Sequence, residues 1–292
     1  MKPNLSKFCQ SKINVMMFKR FDPELCFNYM QLLGKIYYAI NRKERQLIET
    51  NIRDLLEGQD ETFVRTTIKE AFRGIFTHYF EKMFSAYRNY PEIKNFINER
   101  FTIENEHLLT DALSEGKGAV LVTAHWGAVE FIPWLLSIKG YPLSVILECQ
   151  SKLLMEALND KTRFVDTELI MGENCKNILF SAFDSLGRNR VLMTECDEVD
   201  KWRKRKNNTI ELFGKTLYFD NTLDILARRA DCPVIGTFLK RNGDGTYTLY
   251  LEQIERGRGT ARSALKLWQH WVSKNPEQWY QWKKWNKMKA AG

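Results

Sequence analysis

The chain has 292 residues, 44% of them hydrophobic and 27% charged, which supplies a substantial core and excludes a disordered or low-complexity protein. A formal charge of +8 implies a partner of negative charge: nucleic acid, an anionic membrane surface, or an acidic carrier and a phosphorylated substrate. Six cysteines (Cys9, Cys26, Cys149, Cys175, Cys196 and Cys232) share no short repeated spacing, so neither a metal site nor a disulfide framework is expected, and reduced thiols facing the cytosol fit best.

The first twenty residues carry only a short apolar stretch, 15–18, between Lys12, Lys19 and Arg20, which does not read as a signal peptide. Residues 26–40 are apolar and aromatic, with Lys35, Arg42 and Lys43 as basic neighbours. The stretch falls short of the roughly 18 to 20 apolar residues a spanning helix needs, so it reads either as a surface-attached helix or as an ordinary core helix. From about 24 to 115 the pattern is helical: Asn41 reads as a cap, 42–45 opens a new helix, and 62–87 repeats apolar residues at three and four. This gives an N-terminal helical region, 1–115, ahead of a core, 116–292.

From Gly118 onward strand-like and helical runs alternate: 118–124, then helix 127–138; 142–147, then 151–164; 167–170, then 174–186; then 190–194. Helix 222–230, strand 233–239, the turn Asn242-Gly-Asp-Gly245, strand 246–252 and helices 260–274 and 276–288 follow. The expected fold is α/β, a mostly parallel central sheet flanked by helices, with an N-terminal helical region and C-terminal helices.

His125 ends the first strand run, and Glu130 follows in His125-Trp-Gly-Ala-Val-Glu130. An imidazole with a carboxylate in reach is the minimum equipment for drawing a proton from a hydroxyl, and a strand-to-helix junction is where α/β folds usually keep their chemistry. Gly127 reads two ways: it lets the backbone and the amides of the next helix approach an oxyanion, or it serves only a tight turn. Glu195 and Asp197 form an acidic loop that either positions an acceptor or is simply solvated. The basic run 201–206, with Lys201 and Arg203, reads as a phosphate contact or a solvated loop. Five of the eight tryptophans fall in the last 25 residues among lysines, which suits a membrane interface or a seal over the core.

Several landmarks together resemble the lysophospholipid acyltransferase superfamily, and within it the bacterial lipid A biosynthesis (lauroyl/myristoyl) acyltransferase family. The histidine, four residues and an acidic residue are matched by His125 and Glu130; Leu33-Gly-Lys-Ile-Tyr-Tyr-Ala-Ile40 resembles the N-terminal helical region, Glu195-Cys-Asp197 an Asp-x-Asp element, Leu212-Phe-Gly-Lys215 a Phe-Phe-Gly segment, and Asn275-Pro-Glu-Gln-Trp-Tyr-Gln-Trp282 a C-terminal signature. The chain departs from the pattern at Glu148-Cys149, where an Arg-Pro pair is common; a basic contact to substrate phosphate is then either missing or supplied from elsewhere, by Lys152 or Arg163, and the acceptor need not be lipid A. The usual N-terminal transmembrane helix is also not evident.

The resemblance implies transfer of a fatty acyl chain from a thioester of acyl carrier protein or coenzyme A to a hydroxyl, or less readily an amine, of a lipid or glycolipid. It implies His125 as general base and Glu130 as its support, with no cofactor and no metal. Substrate contacts are expected from Gly127, Lys152, Arg163, Glu195, Asp197, Lys201, Arg203 and Lys215. Peripheral attachment at the cytoplasmic face of the inner membrane is expected. Two rivals are a nucleic-acid-binding protein, for which no recognised module is present, and a hydrolase, for which no Gly-x-Ser-x-Gly elbow is present.

Overall fold

The computed structural model describes residues 8–147, 151–172, 178–205 and 207–290. Glu148, Cys149 and Cys175 lie outside them. The helical region comprises α1 (Lys12–Arg20), α2 (Pro23–Ile40), α3 (Arg42–Leu55), α4 (Glu61–Tyr87) and α5 (Tyr90–Arg100). Their starts follow from sequence: Asp22 accepts from the Leu25 amide with Pro23 in the first turn, and Asp60 accepts from Thr62 and Phe63. Asn41 does separate α2 from α3, but its side chain donates to the Tyr37 hydroxyl (3.0 Å) and Glu44 (3.3 Å) instead of capping backbone.

The strands are β1 (Phe101–Glu104), β2 (Ala119–Thr123), β3 (Leu143–Leu147), β4 (Thr167–Met171), β5 (Val191–Glu195), β6 (Thr209–Leu212), β7 (Lys215–Tyr218), β8 (Val234–Arg241) and β9 (Tyr247–Ile254). Seven form one sheet in the order β1-β9-β8-β2-β5-β3-β4; only the β8–β9 hairpin is antiparallel. All five residues of β2 are buried, as a run apolar at nearly every position requires between two helical layers. The intervening helices are α6 (His107–Ser114), α7 (Ile132–Ile138), α8 (Lys152–Thr162), α9 (Ile178–Gly187), α10 (Thr222–Ala230), α11 (Thr260–Lys274) and α12 (Trp285–Met288). β6 and β7 make a separate hairpin, whose turn takes Phe213 and Gly214 through positive φ (52° and 68°).

The expected α/β architecture with a mostly parallel sheet and helices at both ends is therefore observed. Three local expectations fail. β1 lies inside the stretch read as wholly helical, because 101–104 pairs with β9 at the sheet edge. The helix expected at 127–138 is a 3₁₀ turn, Val129–Phe131, followed by α7, since Gly127 takes a positive φ of 60°. The helix expected at 276–288 is two 3₁₀ turns, Pro276–Gln278 and Trp282–Lys284, and short α12; Trp279 is extended between them and pairs with Trp126 as an isolated antiparallel bridge.

Burial decides between the two readings of the late tryptophans. Trp268, Trp279, Trp282 and Trp285 have no exposed surface and Trp271 is buried, so they seal the C-terminal segment onto the core and do not form an interfacial belt. Cys9, Cys26, Cys196 and Cys232 are buried free thiols.

Candidate active site

Strands β2 and β5 run side by side with Thr123 opposite Glu195, and the Cys196 amide donates to the Thr123 carbonyl (2.8 Å). Continuing each strand by the same step brings His125 and Asp197 together at the carboxyl end of the parallel sheet, where open α/β folds place ligands. His125 Nδ1 lies 2.8 Å from Asp197 Oδ1, and the His125 backbone amide donates to the same carboxylate (3.0 Å). Trp279 Nε1 donates to Asp197 Oδ2 (2.8 Å). Asp197 is wholly buried and ionised, so it only accepts; in the neutral ring Nδ1 must therefore carry the proton, which leaves the lone pair on Nε2. Burial opposes the charge on Asp197, but the imidazole and the indole N–H hold its carboxyl below the usual carboxylate range.

Two more carboxylates face Nε2: Glu195 Oε2 at 3.3 Å and Glu198 Oε2 at 3.6 Å. Glu198 turns its other oxygen to Lys284 (2.8 Å). Burial depresses the imidazole, yet Glu195, Asp197 and Glu198 together carry it up to about 9. Burial, reinforced by Asp197, Glu198 and Glu130 against the pull of His125, raises Glu195 to about 7.

Glu130 does not hold the ring. Its carboxylate lies 3.3 Å from Lys82 Nζ and 3.6 Å from His78 Nε2. The support expected of it is supplied by Asp197, because the 3₁₀ turn carries Glu130 toward α4 instead of back along the strand. His78 stacks on Tyr280 (3.8 Å between centroids), and Tyr280 meets His125 edge-on (5.5 Å). His78 is buried, which holds its imidazole well below the usual histidine range, with Lys82 and Arg241 adding to the effect.

The loop is clamped from beneath. The Gly127 amide donates to the Gln278 carbonyl (3.0 Å), the Ala128 amide to Leu239 (2.9 Å), and Tyr280 N to the His125 carbonyl (3.1 Å). A Cβ on Gly127 would sit 2.0 Å from the Leu239 oxygen. Gly127 is thus a close-approach glycine whose amide is already used, so the tight-turn reading holds and that amide is not free to serve as an oxyanion donor. Arg241 donates to the Gly127 carbonyl (2.5 Å) and forms a two-point pair with fully buried Glu81 (2.7 and 2.8 Å). Gln278 closes the end of β8, accepting from Arg241 N (3.0 Å) and donating to its carbonyl (3.2 Å). The Pro-Glu-Gln-Trp segment is therefore the splint of the histidine loop.

His125 and Glu130 open on a cavity of about 420 Å³. Part of its lining is apolar, including Val145, Leu147, Leu154, Leu158, Leu169 and Met193 from β3, α8, β4 and β5. Other lining residues are polar, among them His78 and Lys82 from α4 and Tyr280, Lys283 and Lys284 from the C-terminal turns. Of the other expected contacts, Glu195 lines the cavity and Asp197 backs His125. Lys152 and Arg163 are exposed and pair with Glu156 and Asp160. Lys201 and Arg203 are exposed, the Arg203 amide donating to Asp220, and Lys215 pairs with Glu57 and Asp54. None of these five basic residues lines the cavity.

A nitrogen base with its tautomer fixed, facing a slot with one apolar and one polar wall, can deprotonate a hydroxyl beside a long apolar chain. The sequence profile of a family described as bacterial lipid A biosynthesis acyltransferase matches residues 13–287. No curated protein matches the chain.

Proposed function

Because the chain belongs to the bacterial lipid A biosynthesis acyltransferase family, we propose that it moves a fatty acyl chain from a thioester of acyl carrier protein or coenzyme A to a hydroxyl of a lipid or glycolipid, with His125 as general base. The observation that carries this reading is that His125, held by Asp197, lines a cavity with a substantial apolar lining. The acyl chain enters among Leu154, Leu158 and Leu169; the acceptor approaches from the polar wall. His125 Nε2 takes the hydroxyl proton, the oxygen attacks the thioester carbonyl, and the thiol leaves with that proton, so no covalent enzyme intermediate is needed. Glu130, with Lys82 and His78, orients the acceptor.

Replacing His125 with Ala is expected to lower kcat by about 10²- to 10⁴-fold with unchanged circular dichroism. The assay supplies acyl carrier protein or coenzyme A thioesters with lipid acceptors and reads products by mass spectrometry; near wild-type turnover overturns the assignment, and free fatty acid without acylated lipid identifies a hydrolase instead.

The base must be neutral to accept a proton, and its surroundings raise it to about 9. Log kcat/KM should therefore climb with pH from 7 and level off near 9, with the limb moving to lower pH in Glu195→Gln, where one negative neighbour is gone. A pH–rate profile flat from 6 to 9 contradicts this. Filling the apolar end should shorten the chain accepted: with Leu158→Trp, each excluded methylene costs about 0.8 kcal/mol, roughly fourfold in kcat/KM. Competition between thioesters of graded length reads the change.

Among the described residues no helix is long and apolar enough to cross a membrane. Attachment at a membrane surface, which we place at the cytoplasmic face of the inner membrane, is supported by α2, where Leu25, Leu32, Ile36 and Ile40 are exposed beside Lys35, Arg42 and Lys43. Residues 1–115 then carry the attached helix, while also lending β1 and the α4 wall of the cavity to the transferase core of 116–292.

A further inference from the structure

We propose that His125 Nε2, Glu195 and Glu198 form a binding site for a divalent transition-metal cation, best met by Zn²⁺, and that its occupation blocks the base. That the cation blocks transfer rests on the general-base reading above; that it binds does not.

The donor set is one imidazole nitrogen and two carboxylate oxygens, all mutually within 4.8 Å. In a tetrahedral site with bonds of about 2.0–2.1 Å, neighbouring ligand atoms stand about 3.3–3.4 Å apart. Nε2 lies 3.3 Å from Glu195 Oε2 and 3.6 Å from Glu198 Oε2, so both are close to edges of that tetrahedron before any ion arrives. The aim of the side chains agrees. Glu198 gives one oxygen to Lys284 and turns the other to Nε2, so it can bind a cation without losing its lysine.

Asp197 supplies the remaining element. A histidine that binds zinc through one nitrogen usually donates its other N–H to a carboxylate, which fixes the tautomer and makes the ligand more basic; Asp197, fully buried and 2.8 Å from Nδ1, does both. Three acidic side chains around one ring repel one another, and a dication relieves that repulsion. Imidazole favours zinc, copper and nickel over magnesium and calcium, which prefer all-oxygen shells. Three protein ligands leave the fourth position toward the cavity, for water or an anionic group. With the metal on Nε2 its lone pair is engaged, and no hydroxyl proton can be taken up.

The test titrates the full chain, cleared with chelator, with zinc chloride alone under calorimetry. One Zn²⁺ per chain is expected, with affinity lowered about 10- to 100-fold in Asp197→Asn. Binding should be lost in His125→Ala and in the double variant Glu195→Gln/Glu198→Gln, each checked for folding by circular dichroism. Transferase activity of the wild type should fall in step with occupancy and return with chelator. Absence of stoichiometric binding, or binding that survives in the folded double variant, overturns the site and leaves the function untouched. Zinc bound through these residues with activity unchanged at saturation overturns both the block and His125 as base.

Discussion

Asp197→Asn is expected to cut kcat by about 10⁴-fold with little change in fold. Asparagine has nearly the same shape, but its amide group can present N–H to Nδ1, where the ring then needs its own lone pair, and the proton moves to Nε2. The base is thereby lost while the loop stays in place. Glu130→Gln supplies the contrast: it removes a partly exposed contact with Lys82, worth about 1 kcal/mol or less, and should change kcat/KM by no more than about fivefold, mostly through the acceptor's KM. Steady-state kinetics on the two variants decide which carboxylate serves the ring. Equal losses in kcat would return that role to Glu130.

The second large effect is on stability. Arg241→Leu leaves Glu81 as a bare carboxylate with no exposed surface and strips the Gly127 carbonyl of a donor, which should cost about 3–5 kcal/mol. At roughly 2–4 °C per kcal/mol for a chain of this size, Tm falls by about 10 °C. Replacing both partners, Glu81→Leu with Arg241→Leu, should restore a good part of the loss, since the buried charge goes with its partner. Denaturant titration of the single and double variants reads the difference, and a single variant within 1 kcal/mol of wild type contradicts it.

Much of this was legible in the sequence because it depends on local pattern. The alternation of buried runs with helices fixes the parallel strands, and α10 and α11 begin and end where the apolar spacing says they should. His125 was visible as the residue at the end of a buried strand. Its true partner was less so: Asp197 stands 72 positions away and reaches the ring only through the pairing of β2 with β5, a register no short window reveals. The signal available was that two strand runs end in His125 and in Glu195-Cys-Asp197, so adjacency of the strands joins them.

Glu130 misled for a physical reason. Its spacing from His125 assumes a regular helix, and the positive φ of Gly127 with the 3₁₀ turn sends the side chain to Lys82 on α4. The tryptophans stayed open between two readings because composition cannot tell an interface from a core; Trp279 finds its hydrogen-bond acceptor in Asp197, and Trp285 finds one in Asp54. His78, Glu81 and Arg241 gave no local sign at all, for they meet the histidine loop from α4 and β8.

The indole bond from Trp279 to Asp197, together with the pairing of Tyr280 to the His125 carbonyl, carries an implication for synthesis on the ribosome. Translation delivers His125 and Asp197 early and Trp279 and Tyr280 late, so a nascent chain can pair β2 with β5 and join ring to carboxylate while the carboxylate still lacks its indole donor and the loop its clamp. The histidine loop is then locked only once residues 275–285 have left the exit tunnel and docked, so a late segment of the chain finishes a site that an early one began.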